Sequence, residues 1–170
     1  MEHLHYIWLT NQERVFRLTG EYHTIIDDKG RVKLPAGLSK QLLEQGVALH
    51  FMINRGFEKC LILYPKTVWD QKAEVVDRLN IYDPVQRNFV RYFYRGATGV
   101  MADNAERILI PKSLTDHAGV NKEIILFAYL NQIELWDAKN YEAQLANEPS
   151  QFSDLAAQVF GNSTVLIPQA

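Results

Sequence analysis

Asp27-Asp28-Lys29-Gly30-Arg31-Val32-Lys33-Leu34-Pro35 recurs later in the chain as Asp103-Asn104-Ala105-Glu106-Arg107-Ile108-Leu109-Ile110-Pro111. Asp27, Arg31, Pro35 and Leu38 reappear 76 residues on, at Asp103, Arg107, Pro111 and Leu114. Downstream, Leu61-Ile62-Leu63-Tyr64 matches Ile133-Glu134-Leu135-Trp136, and Trp69 matches Tyr141, now 72 residues on. The four missing residues fall near Arg55 to Lys59, in loop sequence where a deletion costs least. The chain is two copies of one unit, a repeat that governs any fold assignment.

Within each copy the local signals agree. Thr19 to Ile26 alternates as an edge-type strand, Asp27 to Gly30 is turn chemistry, and Val32 to Leu34 returns as a strand. Pro35 opens a helix whose Leu38, Leu42 and Leu43 are expected to face inward, and Gly46 closes it. Two more strands (50–54 and 59–64) precede a helix from Pro65 with Val68, Trp69, Ala73, Val76 and Leu79 on its apolar side. The second copy repeats this order from Gly99 to the helix at Ala138. Between the copies, Asp83-Pro84 predicts an N-cap and a first-turn proline for a helix to Tyr94. Its Arg87, Arg91 and Arg95 fall on one stripe, read either as a solvated face or as a phosphate or subunit contact. Phe89, Tyr92 and Phe93 point elsewhere and are expected to pack. A last helix, Phe152 to Phe160, carries an apolar stripe that needs a surface to cover it.

Composition bounds the function. The chain has 170 residues, 47% hydrophobic and 22% charged, which excludes disordered and fibrous classes. Its longest apolar run, Ile124 to Leu130, is far short of the ~20 residues that span a bilayer. Met1 to Leu9 lacks the pattern of a signal peptide. Cys60 is the single cysteine, which excludes an internal disulfide and suits a reducing cytoplasm; it reads as a packed, inert thiol. No Gly-x-Gly phosphate cradle or Gly-x-Ser-x-Gly elbow occurs. His3-x-His5 is the only close histidine pair, and Asp27-Asp28 belongs to turn chemistry rather than to an acid pair. The sequence supports no catalytic residue, metal, cofactor or small-molecule substrate.

The formal net charge of −2 conceals an asymmetry. Residues 1–96 carry 14 Lys+Arg against 11 Asp+Glu, a balance of +3, and residues 97–170 carry 4 against 9, a balance of −5. A polyanion prefers the first half. There, Lys29, Arg31 and Lys33 alternate along one ribbon at roughly 7 Å spacing, which matches DNA phosphates, and a two-stranded ribbon fits the major groove. Arg31 also has the geometry to grip guanine. A merely soluble hairpin tip is the competing reading. The second turn has Arg107 without a cationic companion, so Asp103 and Arg107 are expected to be structural, with Arg107 paired to an acid inside a barrel.

These residues carry a family resemblance. Gly20-Glu21-Tyr22 with Thr24-Ile25-x-Asp27-x-Lys29-Gly30-Arg31-x-x-x-Pro35-Ala36 resembles the opening of the MraZ family, regulators of the bacterial division and cell-wall cluster. Arg55-Gly56-Phe57-x-x-Cys60-Leu61-x-Leu63-Tyr64-Pro65-x-x-x-Trp69 resembles its middle signature, and Asp83-Pro84-x-x-Arg87 with Arg91, Asp103-x-x-x-Arg107-Ile108-Leu109-Ile110-Pro111, Ala118-Gly119 and Glu134-Leu135-Trp136-Asp137 complete it. The Phe152 to Gly161 helix is similar to the ending of Bacteroidetes-type members.

The resemblance implies an α+β fold of two tandem AbrB-like swapped-hairpin units in a pseudo-dimeric β-barrel core with flanking helices. It divides the chain into an N-terminal extension without fixed structure (1–15), a first unit (16–80), a linking helix (81–96), a second unit (97–146) and a C-terminal helix and tail (147–170). It implies a sequence-specific DNA-binding transcriptional regulator in the cytoplasm and nucleoid. Its partners are then double-stranded DNA, as direct repeats in its own promoter region, and further copies of itself in a ring. The family's DNA-contacting arginine falls on Arg31, with Lys29 beside it; Lys33 from the ribbon spacing and Arg87 and Arg91 from the helix stripe complete the expected DNA-binding set, with no membrane partner. Glu106 stands where the family has glycine, which predicts a different second turn and less DNA contact there. An antitoxin-type AbrB-fold protein and a structural ring without a DNA role are the alternative readings.

Overall fold

A computed structural model describes residues 16–146 and 152–161. The expected N-terminal extension and the ends of the C-terminal tail, with His3 and His5, lie outside the described residues. The chain divides into two compact units, Met1–Ala138 and Lys139–Ala170.

In the first unit, strands β1 (Leu18–Ile25), β2 (Arg31–Lys33), β3 (His50–Arg55) and β4 (Leu61–Pro65) belong to the first copy, with helices α1 (Ala36–Glu44) and α2 (Lys66–Asp77). Helix α3 (Pro84–Tyr94) joins the copies, and β5 (Thr98–Met101), β6 (Arg107–Leu109), α4 (Lys112–Ala118), β7 (Glu123–Leu130) and β8 (Gln132–Asp137) follow. The sheets do not respect the copy boundary. One has six strands in the order β1-β7-β8-β4-β3-β5, and the other pairs β2 with β6. Replacing each strand by its counterpart in the other copy reverses the six-strand order onto itself. The repeat is therefore expressed as a pseudo-twofold arrangement in which each copy supplies strands that the other pairs.

β1 pairs with β7 from Leu18↔Leu130 to Ile25↔Glu123, all antiparallel. β1 and β5 remain as edges, so the six-stranded sheet is open and the expected barrel is not closed. The β1 edge is guarded by side-chain amides. Gln41 donates to the Thr19 carbonyl and accepts from the Thr19 N–H at 2.7 and 3.1 Å. Gln45 does the same for Arg17. These amides occupy backbone groups that would otherwise template another strand.

Alternation decides the layers. Val32, Leu34, Ile108 and Ile110 join Leu38, Leu42 and Leu114 with Phe51, Ile53, Leu61, Leu63, Ile133 and Leu135 in one core. The other side of β4 offers Ile62 and Tyr64, which meet Val68 and Trp69 of α2. Trp69 stacks on Phe93 of α3 with ring centroids 4.9 Å apart. β4 is buried on both faces, which is why its sequence is an unbroken apolar run.

Helix starts follow the sequence signals. Asp83 caps α3 by accepting from the Gln86 N–H at 2.8 Å, with Pro84 at the first turn. Pro35 and Pro111 precede α1 and α4 in extended conformation. Leu43 departs from expectation and is 53% exposed. It follows Leu42 by 100° around the helix, which turns it out of the stripe made by Leu38 and Leu42. Phe93 packs as expected, whereas Phe89 and Tyr92 are exposed. Arg95 lies at the extended C-cap of α3, so the helical cation stripe ends at Arg91.

The second unit holds α5 (Ala138–Leu145) and α6 (Phe152–Phe160). Phe152, Leu155, Val159 and Phe160 of α6 are exposed. No helix among the described residues is long and apolar enough to cross a membrane.

Candidate nucleic-acid interface

Both repeat turns are built by one aspartate. Asp27 Oδ1 accepts from the backbone N–H of Lys29 and Arg31 at 3.0 and 2.9 Å, and its Oδ2 accepts from Arg31 Nε at 2.7 Å. Arg31 Nη2 reaches the same oxygen at 2.7 Å. In the second turn, Asp103 Oδ1 accepts from the N–H of Ala105 and Arg107 at 2.9 Å each, and Oδ2 accepts from Arg107 Nε, also at 2.9 Å. Nη2 of Arg107 completes that fork at 2.8 Å. The backbone closes identically, with Gly30 N–H donating to Asp27 and Glu106 N–H donating to Asp103. The two turns match bond for bond.

This corrects two expectations. Glu106 does not change the turn: it adopts φ 55°, beside φ 79° at Gly30, and accepts the left-handed conformation that glycine takes without strain. Arg107 is not inside a barrel. Its partner is Asp103 on a partly exposed turn, with 37% and 40% of the two side chains accessible, close to the 31% and 35% of Arg31 and Asp27.

Each turn locks onto the other copy. Ile110 N–H donates to the Gly30 carbonyl at 2.8 Å, and Leu34 N–H donates to the Glu106 carbonyl at 2.9 Å. β2 and β6 run antiparallel with Arg31↔Leu109, Val32↔Ile108 and Lys33↔Arg107. Val32 and Ile108 are fully buried, so Arg31, Lys33, Arg107 and Leu109 lie on the outward face. The structure thus brings Arg31 and Lys33 together with Arg107, which the sequence reading set apart. Lys29 is exposed in the turn before the strand, and the Lys33 ammonium donates to the Ala105 carbonyl at 2.8 Å.

The aspartates hold these arginines in fixed forks. Arg31's side chain, then its backbone N–H, depresses the Asp27 carboxyl to about 2, and Arg107 does the same to Asp103, also to about 2. Both acids are ionised throughout the physiological range. Pairing through Nε and Nη2 leaves the far edge of each guanidinium for a ligand. Arg87 and Arg91 are placed elsewhere, on α3. Arg87 Nη1 donates to the Ile81 and Tyr82 carbonyls at 2.9 and 3.4 Å, and exposed Arg91 donates to Asn88 at 3.3 Å. Cys60 is buried, with its thiol pushed up to about 12 by desolvation, as suits a packed and unreactive residue.

The family profile described as "MraZ protein, putative antitoxin-like" matches twice, over residues 18–92 and 93–162. The chain belongs to the MraZ family. Among curated MraZ relatives, a protein of Christiangramia forsetii named transcriptional regulator MraZ is 38% identical over 152 residues, covering 87% of this chain and 96% of its own. The Flavobacterium psychrophilum protein of the same name is 37% identical, over 85% and 92%. The MraZ relative from Cytophaga hutchinsonii is 36% identical, over 81% and 91%. The two profile matches fall on the two copies whose strands interleave, so the MraZ repeat and the pseudo-twofold fold are one feature.

Proposed function

We propose that this chain is a sequence-specific DNA-binding transcriptional regulator, without cofactor or catalytic activity. The observation that carries this reading is the β2–β6 ribbon, which presents Arg31, Lys33 and Arg107 on one outward face with Lys29 beside them. Its relatives bear the name of transcriptional regulators. The cross-copy pairing of β2 with β6 fits an AbrB-like swapped-hairpin core, and a two-stranded ribbon has the width to enter a major groove.

A single ribbon makes few phosphate contacts, and discrimination of ~10³ or more over bulk DNA needs several acting together. Linking ribbons in one particle adds ~10²–10⁴ in avidity. The fused repeat already uses the symmetric pairing available to a single unit, so further growth is head-to-tail and closes as a ring. Ribbons in such a ring share an orientation and read direct repeats upstream of the protein's own operon. The working location is then the cytoplasm, on the nucleoid. Arg91 is the exposed arginine of α3 available for an additional phosphate, while Arg87 is occupied by its own turn.

A mobility-shift titration against the protein's own upstream DNA tests this reading. Binding to direct repeats with a steep salt dependence supports it. Equal affinity for unrelated duplex of the same length, or none for either, overturns it.

A further inference from the structure

A second cationic cluster lies away from the ribbon face, on parts of the chain the proposed function leaves unused. Arg55 ends β3, and Lys59 stands in the hairpin loop that Gly56 N–H closes onto the Cys60 carbonyl at 2.9 Å. Arg95 caps α3, and His117 lies in the last turn of α4. Gly96 brings these segments together. A Cβ there would lie 2.9 Å from Leu114 Cδ2 of α4 and 3.7 Å from Arg55 Nε. Its φ of +79° also favours glycine.

Two nitrogens in this cluster are buried without a hydrogen-bond partner: Arg55 Nε and His117 Nε2. Buried polar groups in folded proteins are almost always hydrogen-bonded to protein or water, so these two nitrogens are open to a further partner. None of the ion pairs among the described residues engages Arg55, Lys59 or Arg95. Contrast Arg31 and Arg107, each neutralised by its own aspartate. Burial first, then the charges of Arg55, Arg95 and Lys59, pushes the His117 imidazole below its ordinary pKa, so the side chains share one electrostatic environment.

We infer that Arg55, Lys59, Arg95 and His117 form a binding site for a phosphate-type oxyanion. Lys59 and Arg95 are exposed, whereas Arg55 Nε and His117 Nε2 are buried. One fork suffices for a carboxylate, as Asp27 does for Arg31, whereas donors from four separate segments suit an ion with several oxygens. The ion has two possible sources, a DNA backbone phosphate or free phosphate. The inference stands whether or not the ribbon reads DNA.

The test is calorimetric titration of the full-length protein with inorganic phosphate, against chloride at matched ionic strength. Saturable binding is expected, weakened at least ~10-fold in Arg55→Gln and several-fold in Lys59→Ala, by the rule that a charge-assisted contact contributes more than a neutral one. Thermal melting without phosphate checks that both variants fold; Lys59→Ala, in an exposed loop, decides the matter if Arg55→Gln does not. A phosphate response no larger than that to chloride, equal binding of acetate, or unchanged binding in Lys59→Ala would overturn the inference. Duplex titrations identify the source. If the ion is a DNA phosphate, Lys59→Ala flattens the log–log salt slope by ~0.9. If it is free phosphate, Lys59→Ala leaves that slope unchanged while losing phosphate binding.

Discussion

Lys33 and Arg107 are direct cross-strand partners on the β2–β6 ribbon, one from each copy of the repeat. Like charges opposite one another destabilise a strand pair. Here both find local partners, Lys33 in the Ala105 carbonyl and Arg107 in Asp103. The ribbon therefore holds two cations side by side on its outward face, each with a partner from the fold itself.

Replacing Arg31 with alanine leaves the fold intact, because its side chain is partly exposed and its buried neighbour Val32 is untouched. Operator affinity falls by ~1–3 kcal/mol per ribbon, the scale of a lost bidentate base contact. Melting curves and mobility shifts measured together check both halves; a variant that binds normally removes Arg31 from the interface.

Arg107→Ala behaves like Arg31→Ala. Sequence reasoning expects lost stability or assembly, but the matched turns and the Lys33↔Arg107 register place Arg107 on the same outward face. The expected outcome is a folded protein of normal size by light scattering, melting slightly lower for loss of the Asp103 fork, with weakened duplex binding. A variant that unfolds or dissociates while its folded fraction binds DNA normally returns Arg107 to a structural role.

Acid acts late on both turns. The Asp27 and Asp103 carboxyls fall from the ordinary 3.8 to about 2. Folded values below the unfolded value mean that their contribution is complete above pH 3.8 and disappears as pH falls through about 2. Carboxyl-carbon NMR titration is the check. A midpoint near 3.8 for either aspartate shows that its fork does not persist in solution.

Glu106→Gly tightens DNA binding and raises stability slightly. Glycine relieves left-handed strain of about 1 kcal/mol, less the extra entropy it gives the unfolded chain. It also removes a negative charge next to Arg107. Denaturant titration and duplex affinity read the two effects, and a fall in both refutes the strain argument.

What the sequence makes legible follows local rules. Asp83-Pro84, Pro35, Pro111 and the Asp27 turn announce themselves because capping, proline geometry and side-chain-to-backbone bonds act within four residues. The Asp27–Arg31 turn is visible through spacing and family resemblance. Pairing of β2 with β6 is not, since periodicity gives the face of a strand and says nothing of its neighbour. That gap explains why Arg107, correctly paired with an acid, is expected inside a barrel and not beside Lys33 and Arg31 of the other copy. It also explains the expected closed barrel, because local alternation does not determine whether β1 and β5 meet. Glu106 misled for another reason: turn preferences record a typical cost, and the Asp103 bonds outweigh it here.

The exchange of strands between copies bears on how the chain is made. When the first copy leaves the ribosome, β1 and β2 have no partners, because β6 and β7 are still untranslated. Pairing Leu18 with Leu130 closes a long stretch of chain, a slow step in any folding route. Until then, Val32, Leu34, Leu38 and Leu42 are exposed during synthesis, a window in which aggregation or chaperone capture competes with folding. Truncation after the first copy therefore yields no half-sized functional protein, and nascent chains acquire protease resistance only when β8 has emerged.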